Sequence, residues 1–218
     1  VRARTVLYLH GFASSPAGRK VSLLKETLER EGFRIVAPDL NVPSFERLDF
    51  GSMVQTALAE ARGSRPDVVV GSSLGALVAL EACRRGLTAP LVLIAPALGF
   101  HSRWTEKLPN EEPPRFFHHA TGKETVVHRA FFEQMAKLDV DQQPPSVRVA
   151  VVMGENDESV PFALVEDVWC RWVASKQLPA GSRFVQIEGG DHGLVEHVAQ
   201  IAEEIRAAAE NRISRPVG

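Results

Sequence analysis

The sequence predicts an α/β fold: a reduced, mostly parallel sheet of about six strands, helices on both faces and a small cap insertion. Three observations carry this. Runs rich in Val, Ile and Leu alternate with runs of helical periodicity, the pattern of a sheet covered on both sides. The central strand-like runs, "DVVVGSS" and "APLVLIAP", are apolar almost without alternation, as strands buried on both faces are. The rhythm then breaks at about residues 97–145, where "PNEEPPRFFHH" is too rich in proline for one helix.

The first strand is read over Thr5–His10. A helix follows, with Ser15 as N-cap, Pro16 in its first turn, Leu24 and Leu28 on one face and Gly32 as its stop. "FRIVAPDL" reads as a strand and Ser52–Arg62 as a helix ended by Gly63. "DVVVGSS" is the next strand, Leu74–Arg85 the next helix, and "APLVLIAP" the strand after it. Within the insertion, "TVVHRAFFEQMAKLD" has helical spacing. The alternation resumes with "SVRVAVVMGEND" as a strand, Phe162–Lys176 as a helix and "RFVQIEGG" as a strand. A final helix near Leu194–Ala209 carries an apolar stripe of Val195, Val198, Ile201, Ala202 and Ile205, and "ISRPVG" reads as a frayed tail. No repeat or linker divides the chain, so residues 1–218 are expected to form a single domain.

Composition narrows the function classes. Of 218 residues, 44% are hydrophobic and 24% charged, and the formal charge is −2, a balance that offers no basic surface for nucleic acid. No apolar run reaches the roughly 18 residues of a membrane span. The start "VRARTVLYLHGF" lacks the length and cleavage site of a signal peptide, so a cytoplasmic location is expected. Cys83 and Cys170 lie in helix-like patterns without CxxC spacing and are expected to be packed, reduced thiols.

The chemistry centres on Gly71-Ser72-Ser73-Leu74-Gly75, which fits G-x-S-x-G with Ser73 at its centre. A strand enters and a helix leaves, so Ser73 falls on a sharp bend at the carboxyl edge of the sheet. Gly71 and Gly75 would remove the Cβ atoms that collide there, and the helix N-terminus favours developing negative charge. Ser72 has no such glycine pair around it. Two roles are open to these serines: capping the helix, or supplying a nucleophile.

A serine hydroxyl needs a base. His192 in "IEGGDHGL" follows the last strand and a Gly-Gly pair, whereas His197 belongs to the final helix and reads as surface. Imidazole suits the task because its ordinary pKa of about 6.5 lets it accept and return a proton near neutral pH. The orienting acid should follow the preceding strand, where Asp157 stands in Gly154-x-x-Asp-x-x-Val160-Pro161. Glu155 and Glu158 read either as solvated neighbours or as the acid itself, and Asp191 is badly placed beside His192 in sequence. Backbone donors for an oxyanion are expected at Leu74, after the nucleophile, and at Phe12 in the His10-Gly11-Phe12 loop after the first strand. His10 is expected to stiffen that loop.

"YLHGFASSP" (Tyr8–Pro16), "VGSSLGA" (Val70–Ala76) and "IEGGDH" (Ile187–His192) give the chain a family likeness. It resembles the α/β-hydrolase superfamily over nearly its whole length, and within it the small bacterial YqiA-type esterases. That resemblance implies Ser73 as nucleophile, His192 as base and the His-Gly-Phe loop as oxyanion donor. Ala76 and Asp191 depart from the subgroup, which tends to have glycine and asparagine there, and Asp157 lies farther from its strand than the subgroup's acid. The expected activity is hydrolysis of small to moderate carboxylic esters or thioesters through an acyl-enzyme, with no metal or organic cofactor. Amide or carbon–carbon bond hydrolysis, and slow-turnover ligand sensing, use the same constellation. The expected partner is a small-molecule ester or thioester, with neither nucleic acid nor membrane, and the sequence implies no particular oligomeric state. In the insertion, "RFFHH" and "HRAFFEQM" either line an acyl or alcohol pocket or leave Phe131, Phe132 and Met135 as the buried face of a cap helix. His118 and His119 lack the partner spacing of a metal site. Trp169 and Trp172 read as core.

Overall fold

Six strands form one parallel sheet: β1 (Arg4–Leu9), β2 (Phe33–Val36), β3 (Val68–Ser72), β4 (Leu91–Ile94), β7 (Val149–Gly154) and β8 (Arg183–Ile187), in the order β2-β1-β3-β4-β7-β8. The computed structural model describes residues 3–100, 103–106, 108, 113–119 and 121–210. β1, β3, β4 and β7 are buried along almost their full length, which accounts for their unbroken apolar runs. The register places Leu9 beside Gly71, Ser72 beside Ile94 and Gly154 beside Ile187, so the loops after these strands leave at one edge. From β1 the chain moves to β2 on one side and returns to β3 on the other. That reversal opens a crevice at the carboxyl ends of β1 and β3, where sheets of this kind take up ligands.

Two helical layers cover the sheet. On one face α1 (Arg19–Glu29) packs with α7 (Val198–Glu210); on the other α2 (Phe50–Ser64) packs with α3 (Leu74–Arg84). Opposite directions of travel from β1 to β2 and from β2 to β3, with right-handed crossovers, put α1 and α2 on opposite sides. α6 (Phe162–Ala174) joins β7 to β8 and buries Val165, Val168 and Trp172 at helical spacing, while Trp169 packs partly buried beside them.

Several boundaries differ from expectation for local reasons. α1 is capped by Gly18 rather than Ser15, because residues 15–18 form a turn in which the Ala17 N–H donates to Ser15 Oγ and the Gly18 N–H to the Ser15 carbonyl. α2 begins at Phe50, since Asp49 caps it by accepting from the Ser52 N–H at 2.6 Å. It runs past Gly63 to Ser64 and stops at Arg65, which takes the left-handed conformation. The final helix opens with a 3-10 turn at Val195–His197, so His197 precedes α7. Cys83 is buried as expected, but Cys170 is exposed, because it lies off the Val165–Val168–Trp172 face of α6. The "ISRPVG" tail and Pro109–Glu112 lie outside the described residues.

Between β4 and β7 the chain forms α4 (Arg103–Glu106), an antiparallel hairpin of β5 (Arg115–His118) and β6 (Lys123–Val126), and α5 (Arg129–Met135). The helical spacing read from Thr125 is realised only from Arg129, since Thr125 and Val126 pair in β6. α5 buries Phe131, Phe132 and Met135. Main-chain bonds hold this segment to the loops above the sheet: the His119 N–H donates to the Ala13 carbonyl and the His128 N–H to the Glu46 carbonyl. Gln134 completes the tie, accepting from the Phe50 N–H at 2.9 Å and donating to Asp49 Oδ2 at 3.3 Å. Among the described residues, no helix is long and apolar enough to cross a membrane.

Asp49 therefore serves both the α2 cap and the inserted segment, and its hydrogen bonds to Ser52 lower its pKa below the usual 3.8. A carboxyl depressed on folding adds stability above its unfolded pKa and loses that contribution as pH falls through the folded value. Asp49→Ala is expected to cost about 1 kcal/mol at neutral pH. The deficit should shrink on acidification below about 4, as read by urea unfolding of both proteins across pH.

Candidate active site

The bend between β3 and α3 is strained where the motif places it. Ser73 has φ 53° and ψ −115°, a conformation that L residues seldom take and that costs on the order of 1–3 kcal/mol. The surrounding backbone holds it there: the Ser73 N–H donates to the Ile94 carbonyl at 3.0 Å, and the Ser73 carbonyl accepts from Ala76 and Ala97. A Cβ on Gly71 would lie 2.6 Å from Ala76 Cα, and one on Gly75 would lie 2.1 Å from the Leu9 carbonyl oxygen. Both positions are closed to any side chain. Although Ser73 is the N-cap residue of α3, its hydroxyl makes no capping bond.

Ser72 has a different environment. It is buried, and its Oγ accepts from Lys20 Nζ at 3.1 Å and also bonds the phenol of Tyr8. Burial raises that phenol to about 12, so it stays neutral. Ser72 is thus committed to a buried polar network while Ser73 faces a cleft.

The loops after β7 and β8 bring Asp157 and His192 together, with Nδ1 of His192 2.7 Å from Oδ2 of Asp157. The other carboxylate oxygen accepts from the N–H groups of Ser159 and Val160 at 2.9 and 2.8 Å, which fixes the acid's rotamer. The Asp157 side chain is fully buried, and that of His192 is 31% exposed. With Nδ1–H donated to the carboxylate, Nε2 is left as the acceptor. The two loops are locked back to back: a Cβ on Gly154 would lie 2.3 Å from the Gly190 carbonyl, which accepts from the Asn156 N–H at 2.9 Å. The neighbouring acids have other work. Glu155 bonds Gln186 and the Gly189 N–H, and Asp191 accepts from the Leu194 N–H at 2.7 Å to close the turn after His192.

Facing these loops is His10-Gly11-Phe12. His10 is buried. Its Nδ1–H donates to the Gly11 carbonyl at 2.9 Å, and its Nε2 accepts from the Leu40 N–H at 2.9 Å. Burial lowers its pKa despite the nearby Asp39, so it is a neutral brace between two loops. Gly11 lies against Ser73, where an added Cβ would be 3.2 Å from Ser73 Cβ. Phe12, which follows Gly11, lines the same cavity as Ser73. Leu74 is the first residue of α3, so its N–H has no acceptor within the helix.

Ser73 and His192 line one cavity of about 390 Å³, walled by Phe12, Ala97, Phe100, Trp104, Phe116, Phe117, His119 and Val160. This is the size of a small-molecule site. Phe116, Phe117 and His119 of "RFFHH" thus reach the cavity, whereas Phe131 and Phe132 stand behind it, packed on the Phe12 ring at 6.1 and 5.8 Å. His118 turns away and stacks on Phe45 at 4.1 Å. Among the described residues, no group of three or more His, Cys, Asp and Glu side chains is placed to hold a metal ion.

Sequence reasoning passed over Lys20, Phe100 and Trp104. Lys20 is partly buried, and besides Ser72 it donates to the His192 carbonyl at 3.4 Å. Desolvation lowers its pKa from 10.5 to about 8, against the opposing pull of Asp157 and Asp191. Its signal was present: Lys20 shares a helix face with Leu24 and Leu28, so a cation heads an apolar stripe.

The fold has known counterparts. Est1E from Butyrivibrio proteoclasticus, solved with ferulic acid bound, is 18% identical, with 98% of this chain and 91% of that one covered and a TM-score of 0.74. The α/β hydrolase domain-containing protein 10 from mouse is 17% identical over 95% and 90%, with a TM-score of 0.71. The esterase EaEST from Exiguobacterium antarcticum is 15% identical over 95% and 92%, with a TM-score of 0.70. These likenesses establish the α/β-hydrolase fold. The profile of the uncharacterised protein family UPF0227 matches residues 5–207. The chain therefore belongs to UPF0227, the YqiA family, and has the α/β-hydrolase fold.

Proposed function

We propose that this chain is a serine hydrolase of carboxylic esters or thioesters of small to moderate size, with Ser73, His192 and Asp157 as its triad. The observation that carries the reading is the pairing of His192 Nδ1 with a buried Asp157 at 2.7 Å, on a cleft that also holds the strained, uncapped Ser73. Esterase structures of the same fold support it.

In this reading His192 Nε2 takes the Ser73 proton as Oγ attacks the substrate carbonyl. The tetrahedral oxyanion rests on the N–H groups of Phe12 and Leu74, each of which contributes roughly 3–4 kcal/mol of barrier lowering. His192 returns the proton to the departing alcohol or thiol, leaving an acyl-Ser73 ester. Water, deprotonated by the same imidazole, then releases the acid and restores the hydroxyl. Asp157 stays ionised and holds the imidazole in the tautomer that leaves Nε2 free. The segment at about 97–145 acts as a cap whose aromatic side chains receive the apolar part of the substrate.

Ser73→Ala is expected to abolish hydrolysis of a p-nitrophenyl ester and labelling by a fluorophosphonate probe while circular dichroism remains unchanged. Retained turnover would remove the mechanism. Asp157→Asn should keep the fold but favour the wrong imidazole tautomer, lowering kcat by roughly 10⁴-fold; a loss under tenfold would exclude Asp157 as the orienting acid.

A further inference from the structure

The hydrolase reading gives no task to Lys20, yet this side chain spans the two halves of the site. It sits in the first turn of α1 and reaches Ser72, 52 residues away, and the His192 carbonyl, 172 residues away. Ser72 ends β3 and immediately precedes Ser73. His192 belongs to the loop whose imidazole must stand opposite that hydroxyl. Glycine contacts lock the Ser73 bend to β1, and others lock the loops after β7 and β8 to each other. Lys20 bonds across the gap between these two locked units.

We propose that Lys20 is a positioning residue, whose ammonium ties the backbone of His192 to Ser72 and so sets the imidazole across from Ser73. This role rests on the hydrolase reading above. A cation placed for stability alone would pair with a carboxylate at the surface. Here the bonds run to a hydroxyl and a carbonyl, and burial makes the charge costly enough to bring its titration down to about 8. Bonds from a charged donor are the stronger kind, so loss of the proton slackens the tie.

The charges acting on the ammonium are Asp157 and Asp191, with the His192 ring beside them. On elements packed against α1, His197 is bonded to Gln200, Arg206 to Glu31, Arg34 to Thr5, Glu204 to Arg183 and Glu210 to Arg4, and Glu196 and Glu203 are the further charged side chains. Lys20 is therefore charged at neutral pH and neutral above about 8. Its contribution to turnover is present below that value and lost above it.

The test compares the wild type, Lys20→Met and Ser73→Ala, each verified as folded by circular dichroism. Turnover of p-nitrophenyl acetate and the rate of fluorophosphonate labelling are followed from pH 6 to 10. Lys20→Met is expected to lose roughly 10- to 100-fold in kcat with KM changed less than about twofold, since misplacement of a reacting group by about 1 Å has that effect. Its labelling rate should fall in parallel. The wild-type decline through about pH 8 should vanish in the variant. A folded Lys20→Met with wild-type kcat, or with the alkaline decline intact, overturns the role while leaving the hydrolase reading in place. A wild type that neither labels at Ser73 nor differs from Ser73→Ala overturns both. Should the methionine variant fail to fold, Lys20→Gln keeps a donor without the charge. Loss of the alkaline decline in that variant supports the role, and persistence overturns it.

Discussion

The close approach of α3 to the end of β1 is the constraint on which the site depends. With only a hydrogen on Gly75, the start of the helix comes within backbone contact of Leu9 and His10. That contact sets the Ser73 bend against Gly11. Ser73 takes its positive φ because the bonds to Ile94, Ala76 and Ala97 outweigh the strain. A second constraint of the same kind holds the loops after β7 and β8 together at Gly154 and Gly190. The carboxylate and imidazole thereby form one unit, and the strained Ser73 bend against the end of β1 forms the other.

The interior of the fold was legible in the sequence because burial on both faces leaves unbroken Val, Ile and Leu runs, and because α1, α6 and α7 keep an apolar stripe. All six sheet strands and the principal helices follow from those patterns. Their ends were less legible, since they depend on side-chain bonds. Asp49 outcompetes Ser52 for the start of α2, and the turn at residues 15–18 delays α1. The β5–β6 hairpin escaped notice although Thr121-Gly122 is a turn signal, with Gly122 at φ 67°. Its strands are too short and too mixed in polarity to show a period of two.

The candidate site divides the same way. Ser73, Asp157 and His192 each stand at a strand end with glycines nearby, and local sequence marks such positions. Lys20, Phe100 and Trp104 join the site only through contacts between segments distant in the chain. The cavity wall depends equally on α4 and the hairpin, whose placement is set by Gln134 on Asp49 and by backbone bonds from His119 and His128. Such ties are invisible to periodicity.

In the proposed mechanism Phe12 has two roles in one residue. Its N–H would hold the oxyanion, and its ring is the hub of an aromatic cluster with Phe45, Trp104, Phe116, Phe131 and Phe132, at centroid distances of 5.2 to 6.4 Å. Selectivity and speed would then be wired together in this scaffold. Recutting the aromatic wall to admit a bulkier guest tugs on the same peptide plane that would cradle the nascent anion. An engineer reshaping this enclosure would therefore do better to begin at Phe117, whose ring packs on that of His119.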